Sequence, residues 1–147
     1  MQAPSIDDLA PDGRYLEWIT NLKSQKHGVG EPYSVQVFLG QISSPDSREW
    51  ALDANHVGTF TVLGDSQDIA CEKCVVDQAN KLQVTGQVPL TIALLERYLA
   101  REIDGLTPEI VVPYLQKNLH WRVIVVSLEC VSTQLSPRKF LMLFVHR

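Results

Sequence analysis

Two cysteines separated by two residues are the most chemically specific feature of this sequence. They form the motif Cys71-Glu72-Lys73-Cys74, and the polar residues 65–68 stand just before it. Two thiolates at this spacing can converge on one soft metal ion or close a small disulfide. The polar flank and the charged residues between the sulfurs favour an exposed loop, which an ion could enter and leave. Cys71 and Cys74 are therefore candidate ligands for transient Cu(I).

Three other interpretations of the cysteine pair remain open. A thioredoxin-like redox pair stands at a helix start in a βαβ unit, whereas this pair lies in a polar loop of a mainly β pattern. A structural zinc site needs four ligands, and only the fold could bring Cys130 and His56 to the pair. The two thiols could also have no role. Cys130 lies in an apolar strand and is predicted to be a small buried hydrophobic residue.

The chain lacks the local motifs that build common catalytic centres. It has no G-x-S-x-G elbow, no phosphate-binding GxxxxGK[ST] loop and no GxGxxG fingerprint. Its four histidines are scattered, without an HxxH or HxxxH pair, at positions 27, 56, 120 and 146. A metal centre built mainly of imidazoles is therefore not expected from local motifs. We expect the chain not to be an enzyme by itself.

Composition limits the classes of protein to which the chain can belong. Its 147 residues are enough for one domain, and 45% of them are hydrophobic. The net charge of -4 and the absence of a basic cluster argue against a nucleic-acid partner. The longest apolar runs are too short to cross a membrane. The N-terminus lacks the features of a signal peptide, and three cysteines are few for a secreted domain, so a cytoplasmic location is expected.

The order of sequence patterns predicts a mainly β fold. Alternating or apolar segments predict strands, and helical spacing follows at 89–102 and, after the helix start Thr107-Pro108-Glu109, at 108–117. Pro113 is expected to limit or kink the second helix. We expect an antiparallel β-sandwich or barrel-like domain over residues 14–147 with two short inserted α-helices, after a flexible tail or linker end at 1–13. The predicted strands are 14–22, 33–39, 58–63, 122–128, 131–133 and 139–145.

The ordered set of segments resembles the C-terminal domain of fungal tyrosinases. The strongest piece is the stretch Asn118-Leu119-His120-Trp121-Arg122-Val123. The resemblance extends from Arg14 over nearly the whole chain, and no single piece of it is unique. Its other pieces are residues 15–21, 34–40 and 57–58, the Cys71-x-x-Cys74 motif, and residues 88–95 and 111–117.

The resemblance implies a role for the chain and a partner. In that family the C-terminal domain covers the dicopper site of a catalytic domain and keeps the phenol oxidase latent until it is cleaved or displaced. The dicopper centre belongs to the catalytic domain, which would be joined to this chain before cleavage or be a separate chain. In some members a Cys-x-x-Cys motif helps to deliver copper, a role that would fall to Cys71 and Cys74.

Family members also insert one side chain of the cover into the substrate position as a placeholder. The best-matching position in this sequence is Leu63, while Phe60 is the nearest aromatic residue and Val62 lies between them. A leucine could fill an apolar pocket but would lose ring stacking against a copper-bound imidazole. Phe60 could equally be a core residue of its strand.

Two functions from other classes compete with the cover. One is a free-standing β-sandwich interaction module with incidental thiols, and the other is a small thiol redox or metal-binding protein. A large exposed apolar patch over residues 57–63 would favour the cover over the interaction module. A depressed thiol pKa at a helix start would favour the redox protein.

Overall fold

The computed structural model describes residues 9–10, 14–26, 29–63, 72, 76, 80, 82–125 and 141–146, the last range as backbone alone. The α-helices described over their full length are α1 (Thr91–Leu99) and α2 (Pro108–Asn118), and a short 3-10 turn lies at Trp50–Leu52. Glu72 and Val76 are also helical. The strands are β1 (Trp18–Gln25), β2 (Tyr33–Leu39), β3 (His56–Val62), β4 (Gln83–Pro89), β5 (Leu119–Val125) and β6 (Leu141–His146).

The six strands form two antiparallel sheets of three strands each. Sheet A has the order β4-β1-β6, and sheet B has the order β3-β2-β5. β1 pairs with β4 from Ile19 opposite Pro89 to Gln25 opposite Gln83. The predicted fold class, a mainly antiparallel β domain with two short inserted helices, is confirmed.

The buried apolar side chains form two clusters. The first cluster, next to the helices, includes Trp18, Leu39, Leu90, Leu94 and Leu115, all at most 1% exposed. The second cluster lies between the sheets, where strand alternation directs every second side chain inward. Its members are Leu22, Tyr33, Val35, Val37, Val62, Val88 and Val123.

β1 and β4 differ most from the sequence predictions, while β3 begins two residues and β5 three residues earlier than predicted. β1 begins at Trp18 and continues through Lys23, Ser24 and Gln25, which lie beyond the predicted strand end at residue 22. This extension was not predicted because the three residues are polar. Ser24 nevertheless points inward, where its hydroxyl contacts the Tyr33 hydroxyl, while Lys23 and Gln25 are exposed. β4 was not predicted, because its exposed residues are polar and Gly86 interrupts its pattern.

The second helix also corrects the sequence analysis. Thr107 and Pro108 begin α2 as predicted, but the helix continues through Pro113 to Asn118. Pro113 lies on the exposed face, where water can reach the carbonyl that its missing N–H leaves unpaired. The chain then enters β5 directly at Leu119, so His120 is a half-buried strand residue.

Candidate functional site

The end of β3 separates the three candidate placeholder residues. Val62 is buried at 4% exposure, Phe60 is half-buried against the second cluster, and Leu63 is 79% exposed directly after the strand. Thr59 and Thr61 are exposed on the other face of β3. The exposed apolar surface of residues 57–63 is therefore mainly Leu63, and the large patch that would have favoured a cover is not present there.

Phe60 is held by a close contact with the other sheet. A Cβ added to Gly86 of β4 would stand 2.2 Å from two carbons of the Phe60 ring. The contact is reciprocal, because a Cβ added to Gly58 of β3 would stand 2.5 Å from a methyl group of Val88 in β4. Each strand thus places a large side chain over a glycine of its neighbour. We call these two contacts the interlock.

The last residue of β3 is held from a second direction. Val62 lies opposite Tyr33 in β2, and Tyr33 is fully buried. The Tyr33 hydroxyl donates to the Gln25 carbonyl at 3.1 Å and lies 2.5 Å from the Ser24 oxygen, both in β1. Burial raises the pKa of the Tyr33 phenol, so it stays neutral and keeps its proton for these contacts. The strand end that precedes Leu63 is therefore tied to both β1 and β4 of sheet A.

The other end of β3 is fixed to α1 by an arginine. An Arg97 guanidinium nitrogen donates to the Leu39 carbonyl at 2.9 Å and to the Asn55 amide oxygen at 2.6 Å. The Asn55 side chain lies against Gly40, whose φ of +118° and lack of space both favour glycine. A second guanidinium nitrogen lies 3.6 Å from Glu102. These contacts join α1 to the start of β3.

His56 opens β3 in a partly buried polar network. Its Nε2 lies 2.8 Å from the Gln36 amide oxygen, which also accepts a hydrogen bond from Thr59 at 2.7 Å. The neutral tautomer with a proton on Nε2 satisfies this contact. Burial lowers the pKa of His56, and the opposing charge of Asp53 raises it by less. His56 therefore serves as a neutral hydrogen-bond donor in the fold.

A groove of about 700 Å³ lies at the His56 end of β3. It runs between the residues that precede β1 and helix α1, and its walls are mainly apolar. Tyr15 and Ile92 at this groove are each 69% exposed. Leu9 and Ala10, from the predicted tail, are half-buried and also line it, although the prediction of a flexible tail remains untested.

Cys71 and Cys74 lie outside the described residues, as does Cys130, so their proposed roles remain predictions. In the part of the chain that the structure describes, no three His, Cys, Asp or Glu side chains are grouped to hold a metal ion. The described helices include none long and apolar enough to span a membrane.

Sequence reasoning missed Gly58, Gly86 and Tyr33 as residues that position this site. Gly86 gave a usable signal, because a glycine inside a strand often marks the close approach of another group. The identity of that group could not be inferred, because Phe60 belongs to a different sheet and meets Gly86 only in the folded chain.

The family follows from comparison with known proteins. Residues 17–138 match the family model described as the tyrosinase C-terminal domain, so the chain belongs to that family. It is 48% identical over 119 residues to a tyrosinase of Neurospora crassa, covering 81% of this chain. It is 42% identical over 95 residues to a tyrosinase of Podospora anserina, covering 62% of this chain. It spans 17% of the length of each of these curated relatives.

Solved structures show the same fold at low sequence identity. An oxygen-bound mutant of Aspergillus oryzae pro-tyrosinase matches with a TM-score of 0.54 and 13% identity, covering 90% of this chain and 19% of that one. Recombinant mushroom tyrosinase matches with a TM-score of 0.54 and 18% identity, and the match covers 90% of this chain and 20% of that one. The predicted resemblance is confirmed, and the chain corresponds to the C-terminal, non-catalytic part of tyrosinases.

Proposed function

We propose that this domain covers the dicopper site of a tyrosinase catalytic domain and keeps that enzyme latent, with Leu63 as the placeholder side chain. The observation that carries the proposal is the exposure of Leu63, at 79%, directly after a strand end that is tied to two neighbouring strands. An apolar side chain next to a rigidly held strand end can enter a pocket with little loss of conformational entropy. Membership in the tyrosinase C-terminal domain family supplies the partner.

The structure favours Leu63 over the other two candidates. Phe60 could reach a partner only by leaving Gly86, and Val62 only by leaving its place opposite Tyr33. Either movement would expose apolar surface that the domain buries, at about 25 cal/mol per Å². Leu63 needs no such rearrangement.

A titration with a matched control tests the cover. The chain is added to the active tyrosinase catalytic domain of the same organism, and diphenol oxidation is measured. Leu63→Ala should weaken inhibition, because burying a leucine contributes about 1.5–3 kcal/mol, or roughly tenfold or more in affinity. Leu52→Ala is the control, because Leu52 is 89% exposed in the 3-10 turn before the start of β3, whereas Leu63 follows the end of that strand. Equal inhibition by both variants would reject Leu63 as the placeholder.

We further propose that Cys71 and Cys74 bind Cu(I) transiently and pass it to the catalytic domain. Soft thiolates select Cu(I) over the hard divalent ions, and two sulfurs leave the ion under-coordinated and ready for transfer to imidazoles. This role needs reduced thiols, which is consistent with the cytoplasmic location that we propose.

Competition with a Cu(I) chelator under reducing conditions tests the copper role. Changing Cys71 and Cys74 to serine should abolish Cu(I) retention, while Cys130→Ser should leave it unchanged. Co-expressed catalytic domain should then contain less copper when copper is scarce, and excess copper should restore it. Equal retention by the double-serine variant and the wild type would exclude the pair as the copper site.

A further inference from the structure

The interlock between β3 and β4 has a geometry that connects it to Leu63. Phe60 precedes Leu63 by three residues, and β3 ends between them at Val62. β3 is an outer strand of sheet B among the described strands, so β2 is its hydrogen-bonded neighbour on one side. At its Val62 end, β3 is also restrained by side chains that reach sheet A, and among them the Phe60 ring lies over Gly86.

We propose that Phe60 and Gly86 are positioning residues, which set where Leu63 stands relative to the covered active site. This inference rests on the proposed cover function. Neither residue enters the active site. They act through the end of β3, and a second contact supports them, between Gly58, two residues before Phe60, and Val88, two residues after Gly86.

The backbone conformation indicates why position 86 is a glycine. Among the described glycines, positive φ angles occur at Gly30 and Gly40 and not at Gly86. Glycine is unfavourable inside a strand, so its presence at position 86 is explained by space and not by conformation. A Cβ there would be 2.2 Å from the Phe60 ring, whereas ordinary contacts of this kind are 3.4–4 Å. Alanine at position 86 must therefore move the ring by about 1 Å.

The test repeats the inhibition titration with a matched series of variants. Gly86→Ala should weaken inhibition by about three- to tenfold, less than the full loss of a buried leucine. Adding Phe60→Leu to Gly86→Ala should recover at least half of this loss, because the shorter side chain leaves room for the new methyl group. Val111→Ala is the control, because it opens a cavity in the first cluster, against which Phe60 does not pack, and should not change the inhibition constant.

The titration separates positioning from loss of folded protein. Unfolding lowers the fraction of competent inhibitor and shifts the end point of the titration, whereas a displaced Leu63 changes the inhibition constant at an unchanged end point. If Gly86→Ala does not fold, Phe60→Leu alone tests the same contact and should also weaken inhibition.

Three results would overturn the inference. Inhibition by folded Gly86→Ala as tight as by wild type, with Leu63→Ala weakened, rejects the positioning role and leaves the cover intact. If Gly86→Ala fails to fold, unchanged inhibition by Phe60→Leu likewise rejects the positioning role and leaves the cover intact. Unchanged inhibition by Leu63→Ala rejects the placeholder and the positioning role together.

Discussion

The ring of Phe60 in sheet B lies directly over Gly86 in sheet A, in the space that a side chain at position 86 would occupy. The same aromatic residue was a candidate for insertion into a partner. Its contact with Gly86 instead makes it part of the packing between the two sheets.

Phe60→Ala should therefore destabilise the domain. Large-to-small changes leave a cavity as well as removing apolar contact, and we expect a loss of about 2–4 kcal/mol because the ring is only half-buried. Phe60→Leu should cost less. Unfolding in urea, followed by circular dichroism, measures both, and a Phe60→Ala variant as stable as the wild type would show that the ring contributes nothing to the core.

Thr20→Val should stabilise the domain. Thr20 is fully buried in β1, and its hydroxyl has no hydrogen-bond partner in the described structure. Valine keeps the shape and removes a buried polar group whose desolvation costs about 1–3 kcal/mol. Thr85→Val, on the exposed face of β4, controls for the higher strand preference of valine. A gain no larger than that of Thr85→Val would show that the Thr20 hydroxyl is satisfied in solution.

Arg97→Lys should destabilise the domain even though the charge is kept. The guanidinium donates to both Leu39 and Asn55, and an ammonium group on a different stem cannot reproduce that planar geometry. The expected loss is about 1–3 kcal/mol, because a buried carbonyl is left without its partner. Arg48→Lys is the matched control, because Arg48 is 85% exposed beside Asp46, and its change should be smaller. Equal effects of the two substitutions would contradict the role given to Arg97.

Acidification should weaken the fold through His56. Its pKa is lowered in the folded state by burial, so between that value and the unfolded value of about 6.5 the unfolded chain binds more protons. The contribution of His56 to the free energy of unfolding is therefore complete above about pH 6.5, and it is lost as the pH falls towards the pKa of His56 in the folded state. Denaturant unfolding measures the free energy of unfolding at pH 7.5 and at pH 5.5. The decrease in this free energy between the two pH values should be smaller for His56→Gln than for the wild type. An identical decrease would assign the acid sensitivity to other groups.

The sequence predicted best those elements whose signal lies within their own residues. β2 was located by its alternating apolar residues Tyr33, Val35, Val37 and Leu39, and α2 by its start at Thr107-Pro108. β4 was missed because its outer residues are polar and the partner of Gly86 comes from another sheet. The extension of β1 was missed for a similar reason, since Ser24 is buried only because Tyr33 reaches it.

The candidate site was predictable in part. The sequence indicated the segment that contains the placeholder candidates, but it could not show which of Phe60, Val62 and Leu63 is exposed. All three are apolar and close together, and their exposure depends on contacts with β1, β2 and β4. Arg97 and Asn55 gave no local signal, because 42 residues separate them in the chain.

The pairing of β1 with β6 has a consequence for how the domain is made. β1 is the central strand of sheet A, and one of its two neighbours is β6, which lies more than about 100 residues later in the sequence. Contacts between distant parts of a chain form slowly, and a ribosome synthesises β6 after the other described strands. Sheet A can therefore close only after residue 146 has emerged. A product that stops before residue 141 would leave one edge of β1 unpaired, and an exposed strand edge of this kind is a template for aggregation.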